Sequence, residues 1–181
     1  MNRRDRVLAA QQRAAAEAIG TEAIFHQARV LLLVDTFSGR KRGLTMDRIA
    51  CLDFVLRHPY LLPDIRETAT PLAWPHDLAP EQFEKEAGEV KALRSRYGVW
   101  ADRYMLVCGG LVARQLLVPS KENWSMLLTT REGRSAAKAM AMEAAWRVTA
   151  GRVRVLRTEL DMAAPKLDWL IRHAIDAIEK D

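Results

Sequence analysis

The sequence predicts a mainly α-helical chain built on a winged helix-turn-helix, with a short β-hairpin wing and extra N- and C-terminal helices. Two observations predict it. Across most of the 181 residues the apolar positions recur with helical spacing, and Ala, Leu, Arg, Glu and Met dominate. The exception is the stretch 101–136, ADRYMLVCGGLVARQLLVPSKENWSMLLTTREGRSA. It gives an amphipathic run, an apolar segment, a polar turn, a second apolar segment and a helix start. That order matches recognition helix, first wing strand, wing tip, second wing strand and closing helix.

Residues 1–20 are rich in Arg, Ala and Gln and are expected to form an N-terminal helical extension. Thr21 is placed to cap a helix that runs to about Phe37, with Ile24, Ala28, Leu31 and Leu32 on one face. Ser38-Gly39 stops it, and Arg40-Lys41-Arg42 makes a basic turn. Thr45 caps a second helix carrying Ile49, Leu52, Val55 and Leu56, which Pro59 ends. The segment 61–80 holds Pro63, Pro71, Pro75 and Pro80 and reads as an ordered insertion. A further helix is expected from Asp77 or Ala79-Pro80 to about Arg96.

Asp102 caps the recognition helix, whose apolar stripe is Tyr104, Val107, Leu111 and Val112. Gly109-Gly110 inside it costs roughly 1 kcal/mol per Gly relative to Ala, so either close packing requires them or the helix breaks there. Leu116-Leu117-Val118 and Trp124 to Leu128 are the expected wing strands around a tip at Ser120 to Asn123. Thr129 or Thr130 then caps one long helix through Trp146 to about Ala163, with Gly151 as a kink. Pro165 starts a last helix with Leu167, Leu170, Ile171, Ala174, Ile175 and Ile178 on one face, a pattern suited to packing or dimerisation. The organisation expected is an extension at 1–20, a winged domain at 21–150 with its insertion at 61–80, and a C-terminal helical segment at 151–181.

An apolar fraction of 49% supports a sizeable core. Cys51 and Cys108 sit in apolar helical runs and read as buried core residues. The longest apolar run, Val30 to Val34, is too short to span a bilayer, and the N-terminal residues lack the apolar core of a signal peptide. A soluble cytoplasmic protein with no membrane contact is the expectation. Net charge is +5, distributed as +4 over 1–60, −5 over 61–90, +8 over 91–160 and −2 over 161–181. The positive excess thus coincides with the winged portion, as a phosphate-facing surface or a merely solvated arginine-rich one would have it.

Catalytic signatures are missing from the sequence. There is no phosphate-cradling Gly-rich loop and no GxSxG elbow, and His26, His58, His76 and His173 are scattered without metal-ligand spacing. No enzyme, metal or cofactor is expected, Cys108 beside Gly109-Gly110 reads as core, and His58 reads as a helix-end cap. For nucleic acid the candidate residues are Arg103 and Arg114 on the polar sides of the recognition helix, Lys121 at the wing tip, and Arg131 and Arg134 at the closing helix. Each reads equally as a solvated surface charge. Trp100 and Trp124 read as core anchors rather than base-stacking platforms. The recognition helix, YMLVCGGLVARQLLV, offers few base-reading side chains beyond Arg103, Arg114 and Gln115, which suits protein docking as well as DNA.

Two blocks carry a resemblance. The first is Leu33-Val34-Asp35, Leu44-Thr45-Met46-Asp47-Arg48 and Leu52-Asp53-Phe54; the second is Gly110-Leu111-Val112 through Leu128-Thr129 and Gly133. Together they resemble the middle components of bacterial ABC-three-component conflict systems, over about two-thirds of the chain. The resemblance implies a winged-helix accessory subunit linking a Rad50-like ATPase to an effector in antiviral defence, and it carries over no catalytic residue. The competing expectations are a dimeric winged-helix transcriptional regulator and a winged-helix subunit of a condensin-like complex.

Overall fold

The computed structural model describes residues 22–38, 43–65, 71–82, 84 and 101–178, and for 101–103 the backbone alone. The extension at 1–20, the Thr21 cap, the Arg40-Lys41-Arg42 turn, Trp100 and most of the helix expected up to Arg96 lie outside the described residues.

Helix α1 covers 22–37. Strand β1 is Leu44–Thr45 and helix α2 is Met46–Arg57, followed by a 3-10 segment at Pro59–Asp64 and a 3-10 turn at His76–Leu78. Helix α3 is Ala101–Ala113, and strands β2 (Leu117–Pro119) and β3 (Met126–Thr129) follow it. Helix α4 is Arg131–Met142, then come a 3-10 turn at Ala144–Trp146, helix α5 at Arg147–Glu159 and helix α6 at Ala164–Ile178. The chain is mainly α-helical, with one small open antiparallel sheet in the order β1-β3-β2 whose β2–β3 hairpin resembles a wing.

Helix α1 is the centre of the core. Val30, Leu31, Leu32, Leu33 and Val34 are all buried, so over this turn the helix is apolar around its whole girth and is covered on every side. Helix α2 supplies Ile49, Leu52, Phe54 and Val55, and α3 supplies Tyr104, Val107 and Leu111. The Thr45 hydroxyl accepts from the Arg48 backbone N–H at 3.4 Å, the cap expected for α2. Thr130 does the same for α4, accepting from Gly133 at 2.9 Å.

Strand β1 has no counterpart among the sequence expectations. It pairs Leu44 with Leu127 and Thr45 with Met126, and two residues give too short a run for period-2 patterning to show. A Cβ at Gly43 would fall 2.6 Å from the Leu127 carbonyl oxygen, so the residue entering β1 has no room for a side chain.

The single long helix expected from Thr130 to about Ala163 is two helices. The chain leaves helical conformation at Glu143 (ψ 139°), and the turn that follows brings the Trp146 ring within 5.5 Å of the Phe25 ring on α1. Gly151 is no kink: α5 runs straight through it, and its missing side chain makes room for Leu78, whose Cδ2 would lie 2.6 Å from a Cβ there. The boundary expected at 150/151 therefore falls inside α5. Helix α3 likewise runs unbroken through Gly109-Gly110.

The Pro-rich stretch is fastened at both ends of its described part. The Trp74 indole N–H donates to the Pro59 carbonyl at 2.6 Å. Arg152 of α5 donates to the Leu78 carbonyl at 2.9 Å and grips Glu84 through both terminal nitrogens at 2.7 and 2.8 Å. Helix α6 lays Leu167, Leu170, Ile171, Ala174 and Ile175 against α2 and the Pro59–Asp64 segment. Its apolar face is thus buried within the chain, and Trp169, ring-to-ring with His173 at 3.9 Å, remains outside. No helix among the described residues is long and apolar enough to cross a membrane.

Candidate functional site

Helix α3 divides its side chains between two environments. Tyr104, Val107, Cys108 and Leu111 turn inward, while Met105 and Leu106 point out with 57% and 78% of their surface exposed. Apolar side chains this exposed, next to each other on a helix, gain by being covered. Beside them the hairpin loop presents Trp124, 80% exposed.

The loop geometry explains why Trp124 faces outward and does not anchor the core as expected. The tip is longer than four residues: Ser120 N–H donates to the Met126 carbonyl at 2.8 Å and closes a loop over 121–125. Within it the Asn123 carboxamide oxygen accepts from the Ser125 N–H at 3.0 Å, an Asx turn that leaves Trp124 at its apex, outside strand β3. Between α3, the hairpin and the start of α2 lies a shallow groove of about 190 Å³, lined by Met46, Met105, Cys108, Gly109, Val112, Trp124, Ser125 and Leu127. Two thioethers and an indole around a glycine floor make a deformable apolar seat, the chemistry that accommodates an apolar side chain from another protein.

The basic candidates separate into two places. The Thr130 hydroxyl donates to the Gln115 carbonyl at 2.7 Å and the Thr130 N–H to the Leu116 carbonyl at 3.1 Å, stapling the end of α3 to the start of α4. Arg114, Arg131 and Arg134 are therefore neighbours, all exposed, and Arg134 also donates to the Thr129 carbonyl at 3.3 Å. Lys121 is exposed at the far end of the hairpin, beyond the Pro119–Leu127 pair. At roughly 3.4 Å per residue it lies on the order of 15 Å from the stapled end. Arg103 belongs to the first turn of α3, and its side chain is outside the described residues.

A buried polar hub was not foreseen from the sequence. Asp53 on α2 has no exposed surface. Its carboxylate accepts from Arg29 Nε at 2.5 Å and Nη2 at 3.2 Å, and from the Tyr104 hydroxyl at 2.6 Å. His26 Nε2 lies 3.1 Å away and Arg57 Nε 3.2 Å away. Burial alone would oppose ionisation, but His26, Arg29 and Arg57 outweigh it and hold the Asp53 carboxyl far below the usual carboxylate range. Burial, with the Asp53 charge behind it, raises Tyr104 above the ordinary phenol range. The signal available in sequence was an Asp at a core position of an apolar helix, which demands partners. Arg57, four residues on along the same helix, was within reach of spacing, but Arg29 and Tyr104 sit 24 and 51 residues away, where spacing says nothing.

Other residues of the first resembling block do similar work. Asp35 accepts from the Thr129 hydroxyl at 3.2 Å, and Arg48 is ion-paired with Asp161, which also holds Arg157. These side chains tie helices and sheet together; the groove is lined by others. Among the described residues no group of three or more His, Cys, Asp or Glu side chains is placed to hold a metal ion. Comparison of the chain with known protein families, curated proteins and solved structures gives no match.

Proposed function

We propose that this chain is a non-enzymatic winged-helix adaptor subunit of a multi-protein, ATPase-associated bacterial defence system, linking a Rad50-like ATPase and an effector. The observation that carries the reading is the outward face of α3: Met105 and Leu106, flanked by the exposed Trp124. A helix that reads DNA in the major groove presents Arg, Lys, Asn, Gln or Ser there. This one presents hydrocarbon and thioether, which cannot pair with base edges and gains by being covered by protein. The order of elements, α1-β1-α2-α3-β2-β3, and the β1-β3-β2 sheet support assigning the winged helix-turn-helix fold. The alternative, a dimeric winged-helix transcriptional regulator, draws on the basic segment 91–160 but would set these apolar side chains against the groove.

The test is co-expression with the products of the neighbouring genes, any Rad50-like ATPase among them first. The reading expects a complex that survives gel filtration. Pairing Met105→Glu with Trp124→Ala should abolish it while the circular dichroism spectrum stays unchanged, because both positions are exposed. No complex with any neighbouring gene product, or one indifferent to the double substitution, would overturn the assignment.

A further inference from the structure

Among the described residues the cations fall into two populations. Arg29, Arg48, Arg57, Arg152, Arg157 and Arg172 are each ion-paired to a carboxylate. Arg114, Lys121, Arg131, Arg134, Lys138, Arg147 and Arg154 make no ion pair and are exposed. Four of them, Arg114, Arg131, Arg134 and Lys138, belong to one surface. On α4, positions 131, 134 and 138 are separated by three and four residues and so share a helical face, with Ser135 between them. Gly133 and Ala137, which are buried, lie on a different side of the helix. The Thr130 staple to Gln115 and Leu116 sets Arg114 at the N-terminal end of the same row.

We infer that the outward face of α4, with Arg114, is a contact surface for the phosphate backbone of duplex DNA, separate from the apolar face of α3. Charge complementarity selects the occupant. From Arg131 to Lys138 the row rises about 10 Å, the rise of three base pairs on a duplex. The cations stand on a rigid helix without a salt-bridge partner, Arg134 alone donating back to the Thr129 carbonyl, and release counterions when they meet phosphate. Glu132 is the one acidic residue of this helix and lies off the row, about 100° round from Arg131. Insertion into a lipid surface calls for several apolar side chains among the cations; the row has none from Arg131 to Lys138, and Met142, one turn on, is a single exposed one. Every contact proposed is to phosphate, so binding is independent of sequence.

Fluorescence anisotropy with a labelled 24-base-pair duplex at several salt concentrations tests this on the full chain. Four phosphate contacts give a slope of log K against log salt of about −3.6, which is roughly a 150-fold loss of affinity between 50 and 200 mM salt. Arg114→Ala, Arg134→Ala and Lys138→Ala should each make the slope shallower by about 1, and a scrambled duplex should bind equally. Lys121→Ala should leave the slope alone; a drop there with none at Lys138 would move the contact to the hairpin and overturn the inference. So would absence of duplex binding at 50 mM salt, or binding to phosphatidylserine vesicles in its place. Failure here is separable from failure of the adaptor reading: the Met105→Glu, Trp124→Ala pair should retain the full slope, and the α4 substitutions should retain the ATPase complex.

Discussion

The Tyr104 hydroxyl donates to the Asp53 carboxylate at 2.6 Å, joining α3 to α2 through an acid with no exposed surface. The same carboxylate takes two hydrogen bonds from Arg29 of α1, so three helices meet on one residue. Two substitutions separate the contributions. Asp53→Asn keeps the shape but leaves the half-buried Arg29 guanidinium without its counter-charge, a loss of about 3–5 kcal/mol. Tyr104→Phe removes one donor from a carboxylate that keeps the others, costing roughly 1–2 kcal/mol. Urea unfolding should rank them in that order; a Tyr104→Phe variant less stable than Asp53→Asn would show that packing of the ring, rather than the hub, dominates.

The hub also fixes a direction of pH dependence. The Asp53 carboxyl titrates lower in the folded chain than the ordinary value of about 3.9, because His26, Arg29 and Arg57 overcome the cost of burial. A depressed acid contributes stability that is complete above the unfolded value and is lost as pH falls below it, at up to about 1.4 kcal/mol per pH unit. Glu84, lowered mainly by its hydrogen bonds from Arg152, adds in the same direction. Urea midpoints should be level from pH 7 to about 5 and fall steeply below 4. In Asp53→Asn that acid slope should be visibly shallower, and an unchanged slope would remove Asp53 from the account.

How far the sequence foretold this arrangement depended on whether a signal was local. Thr45 and Thr130 were visible as caps because a cap is decided within four residues, and the hairpin because its turn lies between two apolar runs. Asp53 and Arg152 were not visible as fasteners, since their partners are fixed only once the chain has folded. Trp124 misled because an aromatic in an apolar run reads as core, whereas the Asn123 turn sets it outside. The end of α4 at Glu143 had no Gly or Pro to announce it; the contact of Trp146 with Phe25 is tertiary. Of the basic candidates, spacing identified residues of the right charge, but only the Thr130 staple shows that Arg114 belongs with α4 and Lys121 does not.

Glycines 109 and 133 give opposite expectations from the same substitution. At Gly109 a Cβ meets nothing within 4 Å, so Gly109→Ala should stabilise α3 by about 0.5–1 kcal/mol through helix propensity. At Gly133 a Cβ would drive into the Leu116 backbone carbonyl, the acceptor of the Thr130 staple, and backbone cannot move aside as a side chain can. Gly133→Ala should therefore destabilise by about 1–3 kcal/mol, as overpacking does. Thermal unfolding of the two variants checks this. Destabilisation by Gly109→Ala would mean that α3 is not continuous through its glycine pair.

Cys108 combines a place on the groove lining with a thiol that is 3% exposed. Burial, reinforced by the Asp53 charge, pushes its pKa up to about 11. The thiolate is the reactive form, so at pH 8 the folded chain holds roughly two hundred times less of it than an unfolded chain with an ordinary pKa near 8.5. The neutral thiol is favoured by folding, so this contribution to stability is complete below about pH 8.5 and is lost as pH rises towards 11. In a Cys51→Ala background, a disulfide reagent at pH 8 should label Cys108 at the rate of global unfolding, with urea raising both together. Rapid labelling under native conditions would instead mean that the groove opens down to its floor, and the seat beside Trp124 would then be deeper than the resting structure makes it.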